Sequence, residues 1–79
     1  MIRVIGGGGC SYCEMAKDLL DKKGIPFEYL DARRDESAMQ ELKDNKMRTI
    51  PQVWVDDVHI GGYQDLVEYL RGASIEGNQ

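Results

Sequence analysis

One histidine, two cysteines, two prolines, one tryptophan and one phenylalanine among 79 residues leave few side chains of the kinds that carry chemistry. A structural zinc site takes four ligands, and the Cys and His residues here number three, with His59 far along the chain from Cys10 and Cys13. No metal is therefore expected. Basic residues are outnumbered, ten to fourteen, for a net charge of −4, and no basic patch interleaved with aromatics occurs. That argues against a nucleic-acid partner. No apolar run approaches the length of a membrane span, and Met1-Ile2-Arg3-Val4-Ile5 is too soon interrupted to read as a signal peptide. A cytoplasmic protein, with no membrane partner, is expected. The apolar fraction of 42% is that of one ordinary globular domain.

What is present centres on Cys10-Ser11-Tyr12-Cys13. Two thiols three positions apart, after a short apolar run and four glycines and before a helix-like segment, are the pattern of a redox-active dithiol. At a helix start the first cysteine meets unpaired N–H groups and the positive end of the helix dipole, which favour a thiolate. Cys10 is thus the expected nucleophile. Cys13, one turn further in, is the expected resolving thiol. A purely structural disulfide fits poorly, because so short a loop constrains little of the unfolded chain. In a reducing compartment, a lone cysteine pair is more often catalytic or metal-binding than structural.

Along the chain, Ile2 to Ile5 reads as a buried strand, β-branched at three of four positions. Gly6 to Gly9 ends it, where the backbone must turn sharply or let another group approach closely, or else serves as a linker. From Ser11 to about Lys23 a helix presents Met15, Ala16, Leu19 and Leu20 on one face, with Gly24 as its left-handed cap and Pro26 forbidding continuation. Phe27 to Leu30 is a second strand, parallel to the first through a right-handed crossover. Asp35 to Asp44 reads as a more exposed helix with Ala38, Met39 and Leu42 inward and Asn45 as terminator. Gln52–Val55 and Val58–Ile60 flank Asp56-Asp57 as a β-hairpin. A last helix, about Gln64 to Arg71, carries Leu66, Val67 and Leu70 on one face and ends at Gly72, and 73–79 is expected to be a loose tail. The sum is an α/β fold, β-α-β-α-β-β-α around one mixed four-stranded sheet.

Three separated pieces then match one family pattern: Cys10-Ser11-Tyr12-Cys13 after a strand, Thr49-Ile50-Pro51 before a hairpin, and Gly61-Gly62-Tyr63-Gln64-Asp65 entering the last helix. In this order and spacing the chain resembles a dithiol glutaredoxin from Ile2 to Leu70, with a domain over 1–72. The resemblance implies a minimal thioredoxin-like fold with a cis Ile50–Pro51 peptide beside the dithiol. It implies glutathione as co-substrate, its cysteine moiety bound by the backbone of Ile50 and its γ-glutamyl carboxylate by Gly62 and the N–H groups of Tyr63 and Gln64. Asp65 would meet the ligand's ammonium, cap the helix, or do both. Tyr12 would border the groove, with Thr49 and Pro51 in its wall, and Arg48 could pair with the glycine carboxylate.

Two departures from the family pattern matter. Ser11 stands where proline is common, and some members lacking that proline hold a two-iron two-sulfur cluster between subunits, with glutathione as extra ligand. Gly7 stands where a lysine usually supports the thiolate, leaving that work to the helix start and loop amides, aided by Lys17 or Arg48. The expected function is a glutathione-dependent thiol–disulfide oxidoreductase acting on protein disulfides and glutathione mixed disulfides. Alternatives are a glutaredoxin-like donor reduced by thioredoxin reductase, a cluster carrier, and a non-catalytic adaptor. A monomer is expected, with disulfide-bearing or glutathionylated proteins as partners, ribonucleotide reductase among the candidates. No role is assigned to His59, and Trp54 reads as a packing residue.

Overall fold

The β-branched residues after Met1 form a central strand in the computed structural model, which describes the backbone of residues 1–75 and the side chains of 1–72. The elements run β1 (Ile2–Gly6), α1 (Ser11–Lys22), β2 (Phe27–Asp31), α2 (Glu36–Asp44), β3 (Gln52–Val55), β4 (Val58–Gly61) and α3 (Tyr63–Ile75). This is the expected order. The sheet is arranged β2-β1-β3-β4, with β1 parallel to β2 and antiparallel to β3, and β4 antiparallel to β3.

Alternation along β1 divides the core in two. Ile2 and Val4 point to one face, where they pack with Val53, with Ala16 and Leu20 of α1, and with Leu66 and Leu70 of α3. Ile5 points to the other, where it joins Trp54, Ala32, and Ala38 and Leu42 of α2. The result is a sheet with α1 and α3 on one side and α2 on the other. Leu20 and Leu66 are fully buried, so truncating either to alanine costs about 2–5 kcal/mol. Arg3, alone of its charge in β1, faces α2. Its guanidinium donates to both Glu41 carboxylate oxygens, at 2.8 and 2.9 Å, and lies 4.5 Å from the ring centre of its cross-strand neighbour Trp54. The Glu41 hydrogen bonds hold its pKa above the ordinary arginine value.

The helix ends follow local chemistry. Gly24, at φ 67°, follows Lys23, and the N–H of Ile25 reaches Leu20 O, which closes α1 as expected. The same pattern recurs at the end of α2, which stops at Asn45 as expected. Asn45 is the cap, and the left-handed residue is Lys46, at φ 56°, with Met47 N–H donating to Leu42 O. Asp35 starts α2 by accepting from Ser37 N and Ala38 N. The hairpin turn puts Asp56 and Asp57 at φ 49° and 70°, the two left-handed residues of a tight turn whose twist matches the strands.

Two expectations are corrected. Met15 is 43% exposed rather than on the buried face of α1, because that face is narrow and Cys13, Ala16 and Leu20 already fill it. Helix α3 does not end at Gly72 but continues to Ile75; a helical glycine costs only about 1 kcal/mol, which is not enough to stop a helix already packed through Leu66 and Leu70. Of the expected loose tail, 73–75 therefore belong to α3, and 76–79 lie outside the described residues. Among the described residues, no helix is long and apolar enough to cross a membrane.

Candidate active site

The glycine run carries β1 into α1 through Gly9, at φ 73°, and sets Cys10 at the N-cap of the helix. In that extended conformation the Cys10 Sγ accepts a hydrogen bond from Cys13 N–H at 3.1 Å. A donor aimed at sulfur, together with the positive end of α1, favours negative charge on Cys10. Cys10 and Cys13 are joined as a disulfide, with Cα atoms 5.2 Å apart. Cys13 is fully buried and Cys10 half-buried, so Cys10 is the more accessible of the two. Gly6 is the residue that makes room for them. A Cβ there would lie 2.8 Å from Cys13 Sγ and 2.5 Å from Tyr29 Oη.

Sheet order brings the other two sequence pieces to the same place. β3 is hydrogen-bonded to β1, so the segment entering β3 runs beside the segment leaving β1. The Ile50–Pro51 peptide is cis, and Ile50 O lies 3.9 Å from Cys10 Sγ. Gly62 in turn lies against Pro51; a Cβ on it would be 3.4 Å from Pro51 O. Tyr12, Thr49, Ile50, Pro51, Gly62, Tyr63, Gln64 and Asp65 thereby line one groove of about 320 Å³ beside the dithiol. The Tyr12 and Tyr63 rings, 5.6 Å apart, stand over it. Asp65 accepts from Gly62 N–H at 2.9 Å and so caps α3. The N–H groups of Tyr63 and Gln64, in the first turn, have no acceptor within the helix.

Arg48 is not in this groove. It lines a neighbouring one of about 370 Å³, which shares Thr49 and Ile50 with the first. Lys17 is engaged elsewhere: its Nζ is 3.3 Å from Glu14 and 4.2 Å from the Tyr29 ring centre. The structure also connects a residue to which the sequence assigns no role. His59 Nε2 is 2.7 Å from Gln52 Oε1, and Gln52 Nε2 donates to Thr49 O and Oγ1. Gln52, buried at the start of β3, thus ties the Thr49 end of the groove to β4. Only strand pairing makes this visible, since the two partners are seven positions apart. Among the described residues, no group of three or more His, Cys, Asp or Glu is placed to hold a metal ion.

Residues 2–60 match the family model for glutaredoxin. The chain belongs to the glutaredoxin family. Glutaredoxin 1 of Escherichia coli K12 is 33% identical over 76 residues, covering 86% of this chain and 89% of that one. The solution structure of glutaredoxin from Brucella melitensis superposes with a TM-score of 0.75 at 31% identity, over 96% of this chain and 84% of that one. The crystal structure of a buckwheat glutaredoxin–glutathione complex has a TM-score of 0.78 at 26% identity, over 96% and 73%. This glutaredoxin has the thioredoxin-like fold and is a dithiol thiol–disulfide oxidoreductase working through Cys10 and Cys13. Glutaredoxins use glutathione as reductant.

Proposed function

We propose that this glutaredoxin draws its electrons from glutathione bound in the groove beside Cys10. The observation that carries the reading is that groove: one wall is the Thr49–Ile50–Pro51 backbone next to the sulfur, and its far end is the start of α3. Glutathione has a thiol at its centre and a carboxylate and ammonium at its γ-glutamyl end. The N–H groups of Tyr63 and Gln64 suit that carboxylate. Asp65 spends one oxygen, Oδ2, on its cap and keeps the other for the ammonium.

With a glutathionylated protein, the Cys10 thiolate attacks the glutathione sulfur, and the protein thiolate leaves and takes a proton. A second glutathione thiolate then attacks the same sulfur, releasing glutathione disulfide and returning Cys10 as thiolate. With a protein disulfide, Cys10 attack releases one substrate thiolate. Cys13 then attacks Cys10 Sγ and releases the other, and the enzyme, now the Cys10–Cys13 disulfide, is reduced by two glutathiones that leave as glutathione disulfide. The burial of Cys13 one turn behind Cys10, within bonding reach of its sulfur, supports this order of attack.

Gly7 removes the lysine usual beside the thiolate, so glutathione is held less tightly than by lysine-bearing relatives. It also favours a second reading, reduction by thioredoxin reductase. Oxidised protein incubated with glutathione, glutathione reductase and NADPH, or with thioredoxin reductase and NADPH, separates the two. NADPH consumption in the first mixture is expected; consumption only in the second would overturn glutathione as the reductant and leave the dithiol chemistry standing.

A further inference from the structure

The groove that carries Arg48 is set so that a substrate chain reaching Cys10 also reaches it. Both grooves are bounded by Thr49 and Ile50, and Ile50 O is 3.9 Å from Cys10 Sγ, so a segment crossing Ile50 at the reacting sulfur has one flank in each. The second groove has an apolar floor, with Ala32 and Leu42 buried and Met39 and Met47 half-buried, beneath the exposed cations Arg33, Lys43 and Arg48. Among the described residues, no acidic side chain lines it.

This concentration of positive charge sits on a chain whose net charge is −4. None of the three cationic side chains makes a hydrogen bond or ion pair among the described residues. Lys43 complements the C-terminal end of the α2 dipole, which accounts for its sign. Arg33 and Arg48 lie in loops, where no dipole explains them. Gly7 admits Arg33: a Cβ at Gly7 would lie 3.1 Å from Ile50 Cδ1 and 3.3 Å from Arg33 Nε. Without a side chain there, Arg33 packs against the Gly7–Ile50 seam between the grooves. Three unpaired cations over an apolar floor attract a segment bearing carboxylates, with its methylene stems on the methionines.

We propose that this second groove docks an acidic, extended segment of the protein substrate, next to the cysteine whose disulfide Cys10 attacks. The proposal rests on exchange at Cys10 and not on which reductant restores the enzyme. Docking leaves the exchange unchanged: the bond from Cys10 sulfur to substrate sulfur forms as the substrate disulfide breaks, and the leaving thiolate carries away the electron pair.

The test is a single turnover of pre-reduced protein, without glutathione, against short peptides carrying one cysteine as its mixed disulfide with thionitrobenzoate. The peptides differ only in glutamate, glutamine or lysine runs placed before or after the cysteine. For one of the two placements, the glutamate peptide is expected to release thionitrobenzoate about tenfold faster than its glutamine counterpart at low salt, the worth of two or three exposed charge pairs. The lysine peptide should be slower still. The advantage should collapse in the double variant Arg33→Gln, Lys43→Gln, and in the unaltered protein at about 0.5 M salt, while the glutamine peptide keeps its rate. Equal rates for glutamate and glutamine peptides would overturn the proposal. So would a glutamate advantage that survives both the variant and salt, or an equal loss for every peptide in the variant, which would make the groove a support of the site rather than a reader of the substrate. Because glutathione is absent, these outcomes do not depend on the reductant assay.

Discussion

Gly6 packs closely beside the dithiol, and replacing it with alanine puts a methyl group against the side chains of Tyr29 and Cys13. The added carbon would meet Tyr29 Oη at 2.5 Å and Cys13 Sγ at 2.8 Å. The hydroxyl is the far end of a side chain, whereas the sulfur is fully buried on the first turn of α1 and has nowhere to retreat. Overpacking of this kind costs about 1–3 kcal/mol, and the upper half of that range applies here because one of the two neighbours is held by helix backbone. In a domain of this size each kcal/mol lowers Tm by about 4–8 °C, so a fall of about 10–20 °C is expected. Urea unfolding read by the fluorescence of Trp54, the single tryptophan, gives the same quantity as a midpoint shift. Two controls make the reasoning specific. Gly8→Ala, where an added Cβ meets nothing within 4 Å, should stay within about 0.5 kcal/mol of the parent. Tyr29→Phe removes the hydroxyl contact and should restore about 1 kcal/mol to Gly6→Ala while leaving the sulfur contact in place. A Gly6→Ala protein as stable as Gly8→Ala, or one that Tyr29→Phe does not improve, would refute the account.

Lys46→Gly relieves a left-handed residue of its Cβ at the end of α2 and should stabilise the protein by about 0.5–1 kcal/mol; a neutral or negative change in thermal melts would show that Lys46 makes up the difference elsewhere. Cys13→Ser should abolish reduction of protein disulfides and leave turnover of glutathionylated substrates largely intact. Equal loss of both activities would contradict the division of labour between the cysteines. Asp35 accepts from Ser37 Oγ, and from the N–H groups of Ala38 and Ser37, which holds its carboxyl below the usual aspartate value. The charged form is the one the fold favours, so its contribution is complete above the ordinary value of 3.8 and is lost as pH falls through the lower, folded value. A carbon-detected titration placing the Asp35 midpoint at or above that of an ordinary aspartate would contradict this.

What the chain determines by itself is whatever lies within a turn or a strand of its own signal. Gly24 and Pro26 stop α1, Asp35 starts α2, Asp56-Asp57 turns the hairpin, and Cys10-Ser11-Tyr12-Cys13 opens a helix; each depends on contacts a few residues apart, so each is legible in the sequence. Resemblance extends that reach to Thr49-Ile50-Pro51 and to the start of α3, whose residues the fold brings into one groove. The tertiary structure decides the rest, because strand order sets which distant segments become neighbours. It places Gly6 against Cys13 and Tyr29, sends Lys17 to Glu14 and Tyr29, and runs Gln52 from Thr49 to His59. It exposes Met15, whose apolar spacing suits the core face, because a helix packed on one sheet buries only a narrow stripe. And it sets Arg33 against Gly7 across the gap between β1 and β2, where neither residue carries any local mark of the other; parallel pairing of Gly6 with Asp31 is what brings the two loops together.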